Sequence, residues 1–268
     1  WLQLPGQPLP AAIPTGSPSE QAPCLWITDL STGVIYPWQI PPRWLPFLFQ
    51  WPQLPDPLPE ALIEVLRLAG GLLSEHPVTR LQAAQAQQAT LHRAYQEQGY
   101  VVFPQLIPAL QLAAWRTYCE RLEAQGYLEL GDPLVPDRLR FYNEPWAQFI
   151  HQQLPKLMGQ ALGQVVQASF CYLSVYPEGS HLKRHLDRPQ CVWNLSLLVH
   201  QQPLEASSWP LHIQTPQQGA TAIHLQPGDA VLYSGRKHPH WRETLGSGQR
   251  VTVYSMHFVP RDFIFDLD

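Results

Sequence analysis

His185 and Asp187 stand two residues apart, and His240 follows far downstream. Two imidazoles and one carboxylate can hold a divalent iron on one face and leave the opposite face open for exogenous ligands. On a strand, residues i and i+2 point to the same side, so His185 and Asp187 can reach one ion with Leu186 turned away. Arg250, ten residues after His240, adds a fixed positive charge where an acidic cosubstrate can dock, because a guanidinium fork holds both oxygens of a carboxylate. Thr252 lies two residues further on the same strand face and offers a hydroxyl. The chain contains 11 histidines, so residue type alone does not choose the third ligand; His181, His238 and His257 compete with His240.

A His-X-Asp triplet by itself describes many simple surface pairs. Its weight comes from the elements around it. Residues 165–176 read as a strand with Phe170, Tyr172, Ser174 and Tyr176 on one side. Tyr176-Pro177-Glu178-Gly179-Ser180 reads as a loop leaving that strand, and His185 follows. Further strands are expected over residues 192–200, 211–214, 220–225, 230–233 and 251–259, with turns at Pro227-Gly228-Asp229 and Gly246-Ser247-Gly248. Several short strands separated by turns predict a jelly roll, two sheets around a central mouth.

Helices precede the strands. Leu62, Val65, Leu66 and Ala69 recur at helical spacing between Pro59 and Gly70-Gly71. A second helix is expected over 79–98, with Leu81, Ala84, Gln88, Leu91 and Tyr95 as its packed stripe. A third is expected over 108–125, carrying Leu112, Trp115, Tyr118, Cys119 and Leu122. A fourth covers 145–162, with Pro155 and Gly159 breaking or kinking it. Residues 1–59 are dominated by Pro, Leu, Trp and Gln and should be extended or irregular. They are also too aromatic to stay wet, so they read as an arm wrapped on the core or as a lid. The chain thus divides into an arm over 1–59, a helical extension over 60–98, and a β-rich domain with bracing helices over 99–268.

Composition narrows the function classes. The net charge is -4, from 17 basic and 21 acidic side chains. No long basic stripe with interleaved aromatics is present, which argues against a nucleic-acid binder. Cys24, Cys119, Cys171 and Cys191 include no close pair, so zinc-ribbon and thioredoxin-like motifs are absent and a reducing cytoplasmic setting is expected. No uninterrupted apolar run approaches the ~18 residues of a membrane span.

Gly99-Tyr100-Val101-Val102-Phe103-Pro104, His185-Leu186-Asp187, the turn Leu225-Gln226-Pro227-Gly228-Asp229, His240 and Arg250 occur in one order. That order resembles the iron(II)- and 2-oxoglutarate-dependent dioxygenase superfamily, in particular its prolyl-hydroxylase-like and phytanoyl-hydroxylase-like branches, over about residues 99–260. The resemblance implies an α+β chain with a mainly-β core, a cupin-like double-stranded β-helix (jelly roll) braced by N-terminal helices. It implies Fe(2+) held by His185, Asp187 and His240. It implies 2-oxoglutarate held at its far carboxylate by Arg250, aided by Thr252 and by a tyrosine donor at Tyr176 or Tyr172, with Asn194 and Ser196 lining the same cavity. It further implies use of O2 to hydroxylate an unactivated C–H bond, releasing succinate and CO2. Halogenating relatives lack the carboxylate that Asp187 supplies, so hydroxylation or desaturation is favoured.

Basic residues surround both ligand segments: Lys183, Arg184 and Arg188 around the first, Arg236, Lys237 and Arg242 around the second. With Trp193, Trp209 and Trp241 as flat walls, they suit an anionic small molecule or a peptide with acidic groups. A Trp-rich lid would instead suit a fatty-acyl substrate. Two other readings stay open: a non-catalytic β-barrel scaffold with a degenerate metal site, and a cupin-like iron oxygenase that does not use 2-oxoglutarate.

Overall fold

The computed structural model describes residues 2–3, 24–28, 32, 34–39, 60, 63, 77–132, 134–204 and 208–264. The arm contributes β1 (Leu2–Gln3), β2 (Cys24–Thr28) and β3 (Ile35–Gln39). There follow α1 (Pro77–Gln98), β4 (Tyr100–Phe103), α2 (Ala109–Ala124), β5 (Glu129–Asp132), β6 (Val135–Tyr142), α3 (Pro145–His151) and α4 (Pro155–Leu162). The β-rich half holds β7 (Val166–Tyr176), β8 (Leu182–His185), β9 (Trp193–Gln202), β10 (Leu211–Thr215) and β11 (Gly219–Ile223). It closes with β12 (Ala230–Tyr233), β13 (His240–Arg242) and β14 (Arg250–Pro260).

Seven strands form one sheet in the order β4-β12-β9-β14-β7-β6-β5, and four form a second in the order β11-β10-β13-β8. Every pairing is antiparallel. Side-chain alternation makes the large sheet a partition between two cores. Leu195, Leu197, Tyr254, Met256, Phe258, Cys171 and Leu173 face the helices. Val231, Tyr233, Val251, Val253 and Tyr176 face the small sheet. The jelly roll expected from the strand pattern is not closed: among the described residues each sheet keeps its own edge strands, and the molecule is a mainly antiparallel α+β structure.

Helix ends follow local chemistry. Pro155 lacks an amide hydrogen and sits at a helix start, so the helix expected over 145–162 becomes α3 and α4. Glu144 caps α3 from a fully buried position, accepting from the Trp146 and Ala147 amides at 2.9 and 2.8 Å. Its carboxylate also accepts from the hydroxyls of Tyr118 on α2 (2.5 Å) and Tyr254 on β14 (3.1 Å). One carboxylate thereby ties two helices to the sheet. Leu91 and Tyr95 of the expected α1 stripe are half-buried, whereas Gln88 is exposed. Leu81 and Ala84, like the stripe Leu62, Val65, Leu66 and Ala69 of the helix expected from Pro59, fall outside the described side chains. The described part of the arm is a three-stranded antiparallel sheet, β1-β2-β3, fastened to the helical layer. Trp26 meets Trp146 and Phe149 edge-on at 6.1 Å, and the Tyr36 hydroxyl donates to the Leu106 carbonyl at 2.6 Å. Trp44, Leu45, Phe47, Phe49 and Trp51 lie outside the described residues. No described helix is long and apolar enough to cross a membrane.

Buried neutral histidine couples this fold to pH. His151 is 1% exposed, its Nε2 bonds to the His257 carbonyl at 2.8 Å, and burial pushes its pKa down to about 4. In the unfolded chain it takes a proton near 6.5. The unfolded state therefore binds more protons below that pH, and stability falls as pH drops from 6.5 toward 4. Urea denaturation at stepped pH should show this slope, to which the buried His240 and His257 also contribute, and His151→Gln should make it shallower; an unchanged slope in that variant would rule out a contribution from His151.

Candidate metal centre

β8 and β13 pair with His240 opposite His185. Two ligands far apart in sequence thereby become a cross-strand pair, their rings 4.2 Å apart. Asp187 lies just beyond β8, and its backbone N–H donates to the Gly235 carbonyl at 2.9 Å. Leu186 between them is 53% exposed and still borders the cavity. Asp187 Oδ1 lies 3.4 Å from His185 Nε2 and 3.6 Å from His240 Nε2. The strand face supplies His185, the cross-strand partner supplies His240, and the backbone tether supplies Asp187.

Each imidazole is oriented from behind. His185 Nδ1 bonds to the Lys183 carbonyl at 2.8 Å, and His240 Nδ1 to the His238 carbonyl at 3.0 Å. An Nδ1–H donated to a carbonyl leaves the Nε2 lone pair facing the centre, the usual state of a metal-bound histidine. Burial pushes His240 down to about 4, so it is neutral and ready to ligate. Burial also acts to lower His185, but the Asp187 carboxylate beside it holds its pKa up; the same contacts hold Asp187 down against its own burial. The donor set fits a divalent ion: three potential ligand atoms within 4.8 Å of one another, two of them imidazole nitrogens and one a carboxylate oxygen.

His257 forms a second cluster with Asp187 and Cys191. Burial pushes the Cys191 thiol up to about 12, which keeps it protonated and a poor ligand. The cross-strand pairing of His240 with His185 favours His240 as the third ligand. His238 serves instead through its carbonyl, and His181 is exposed. Gly235 allows the approach of Asp187: a Cβ there would lie 2.0 Å from Asp187 Oδ2 and 3.0 Å from the Cys191 carbonyl.

The three ligands open into a cavity of about 490 Å³ between the two sheets. Tyr172, Tyr176, Asn194, Ser196, Arg188 and Arg242 line it, as the strand alternation required. Arg250 and Thr252 do not. They project from the opposite face of β14 toward α2, where Arg250 pairs with Glu123 and both border a small cleft with Arg116 and His200. The reason is parity: Val253 and Ser255 point into the cavity, so the even-numbered positions point away. Trp193 is turned toward the helices, one position out of step with Asn194. Trp241 stacks on His212 at 5.1 Å on the outer side of β13, with Arg184 above it. Arg184 and Arg236 are exposed and stand outside the lining.

Arg242, and not Arg250, lines the cavity. It shares the His240 face of β13 at i+2 and is 5% exposed. It donates to the Trp209 carbonyl and lies 4.8 Å above the Trp209 ring. Burial lowers its pKa, while Tyr176 and Tyr233 counteract that. Arg138 donates to the Tyr176 hydroxyl at 3.3 Å from the other side. Arg138 and Arg140, both in the lining, were missed because residues 135–142 were not read as a strand. The signal was there: Pro136, Arg138, Arg140 and Tyr142 repeat at period two.

No protein-family model matches the chain, and no curated protein matches it. Solved structures share its fold. A Pseudomonas putida prolyl-4-hydroxylase is similar with a TM-score of 0.52 at 19% identity, covering 65% of this chain and 99% of that one. A Trichoplax adhaerens prolyl hydroxylase, solved with a hypoxia inducible factor peptide fragment, gives 0.56 at 12% identity, over 69% and 94% of the chains. HygX from Streptomyces hygroscopicus, solved with nickel, 2-oxoglutarate and hygromycin B, gives 0.52 at 11% identity, over 64% and 86%.

Proposed function

We propose that this protein is an iron(II)- and 2-oxoglutarate-dependent oxygenase that hydroxylates a C–H bond of a small molecule or peptide, on a double-stranded β-helix framework. The observation that carries this reading is the His185–Asp187–His240 triad, with both Nδ1 atoms tied to carbonyls, opening into a cavity that holds a buried guanidinium. The shared fold with 2-oxoglutarate-binding HygX and with two prolyl hydroxylases supports it.

When bound, iron and 2-oxoglutarate supply the oxygen-activating chemistry, with succinate and CO2 as by-products. The chain's own residues do the rest. His185, Asp187 and His240 hold the metal and leave its cavity side open. Arg242 receives the far carboxylate of 2-oxoglutarate, and the Tyr176 hydroxyl beside it, kept in place by Arg138, adds a hydrogen bond. Tyr233, a wall against His240 at 4.8 Å, is held by the Asn194 amide at 2.8 Å, which leaves Asn194 Oδ1 without a protein partner at the cavity.

Anaerobic titration with Fe(2+) and then 2-oxoglutarate should produce a weak visible charge-transfer band, followed by succinate formation once air is admitted. A folded protein that gives neither band nor succinate would remove the reading.

A further inference from the structure

We infer that His257 is a positioning residue for the metal centre: its ring N–H donates to the free oxygen of Asp187 and so keeps the other oxygen turned to the metal. This rests on the proposed function and adds a residue to its metal site.

Polar atoms without partners point to it first. Asp187 Oδ1 is the oxygen close to both ligand imidazoles, at 3.4 and 3.6 Å. Asp187 Oδ2 is buried and has no hydrogen-bond partner. It lies against Gly235, which has no side chain to donate, and the nearby Cys191 carbonyl is itself an acceptor. A carboxylate buried in this way is costly until a donor meets it. His257 is 1% exposed, and neither of its ring nitrogens has a partner. A ring nitrogen of His257 and a carboxylate oxygen of Asp187 lie within 4.8 Å of each other. A neutral imidazole carries one N–H, and the torsion that turns a carboxylate is soft. A turn of Asp187 therefore closes the gap.

The backbone gives the second support. The pairing of β14 with β7 slips at His257, between Met256 opposite Cys171 and Phe258 opposite Ala168. Such a bulge re-aims a side chain. His257 follows Val253 and Ser255 on the inner face of β14 but does not itself line the cavity. Its carbonyl is tied to His151 Nε2 at 2.8 Å, and its ring packs 4.4 Å from Phe170 and 5.6 Å from Tyr172. The imidazole is thus held in place, close to a metal ligand and out of reach of a substrate.

Competing partners are weaker. Asn194 stands opposite His257 on β9, and its Oδ1 is a rival acceptor without a partner. A hydrogen bond to an ionised group is roughly twice as strong as a neutral one, so Asp187 wins. The Asn194 amide nitrogen already donates to the Tyr233 hydroxyl at 2.8 Å. The Cys191 thiol, the third member of the cluster, is a weak donor.

Positioning and mere core filling predict opposite effects. A buried imidazole with both nitrogens open destabilises the metal-free fold, and an apolar side chain of similar size removes that penalty. His257→Leu should therefore lower Fe(2+) affinity by about 10-fold or more, as loss of a group supporting a metal ligand does, while the melting temperature of the metal-free protein stays level or rises. Gln carries an N–H near the Nε2 position and Asn near Nδ1, so His257→Gln or His257→Asn should restore binding to within about three-fold of the wild type. Anaerobic calorimetry with Fe(2+) and thermal melting of the metal-free chain read both effects, and His257→Met repeats the comparison should the leucine variant fold poorly. Wild-type affinity in His257→Leu, equal loss in all the variants, or failure of both apolar variants to fold would overturn the inference. Failure of the wild-type protein to bind Fe(2+) would instead overturn the proposed function.

Discussion

Arg242→Met should weaken 2-oxoglutarate binding about 100-fold, whereas Arg250→Met should leave it within about two-fold. Truncating one partner of a buried, hydrogen-bonded charge pair costs about 2–5 kcal/mol, and each 1.4 kcal/mol is about ten-fold in affinity. Arg242 is 5% exposed inside the cavity, where its charge is poorly screened, and it shares a strand face with the metal ligand His240. Arg250 is spent on Glu123, on the far side of the sheet. The measurement is the 2-oxoglutarate dependence of the visible band in iron-loaded protein. The reverse ranking, with Arg250→Met the damaging change, would show that the cosubstrate lies on the other face of β14 and would refute the assignment of Arg242.

Gly235→Ala should lower Fe(2+) affinity by about 10- to 100-fold, the range seen when groups supporting metal ligands are altered. The reason is steric and local. An added Cβ would lie 2.0 Å from Asp187 Oδ2, so the carboxylate must leave its place, and the Cys191 carbonyl at 3.0 Å closes the other route. The Gly235 carbonyl also accepts the Asp187 amide at 2.9 Å, so a shift of either residue moves the ligand. Calorimetric titration with Fe(2+) under nitrogen reads the effect, with thermal melting of the metal-free protein as the check on folding. Wild-type affinity in a well-folded Gly235→Ala protein would mean that Asp187 is not held as described.

Much of the strand half was legible. Strand alternation is a property of the backbone, so Phe170, Tyr172 and Tyr176 were assigned to one side before any packing was known, and that side lines the cavity. The His185/Asp187 pair was expected from the same rule, but Asp187 lies beyond β8 and is placed by its amide bond to the Gly235 carbonyl. Strands β8 and β13 were harder, because they have four and three residues. Such short runs carry almost no periodicity, and their pairing alone makes them a sheet. Residues 129–142 were lost for a related reason: charged residues and Pro136 mask the alternation of an edge hairpin.

The amino-acid sequence by itself determined the ligand types, their order, and which residues share a face within one strand, because these depend only on side-chain chemistry and the two-residue repeat. It did not determine which face of β14 looks into the cavity. Arg250 and Val253 are equally available to either side until β9, β7 and α2 take their places, and burial of Tyr254, Met256 and Phe258 against the helices then puts Arg250 on that same face, beside Glu123 of α2. The choice among the competing histidines was decided the same way, by the pairing that sets His240 opposite His185. Contacts between residues far apart in sequence decide sidedness, and sidedness puts Arg242, and not Arg250, into the cavity.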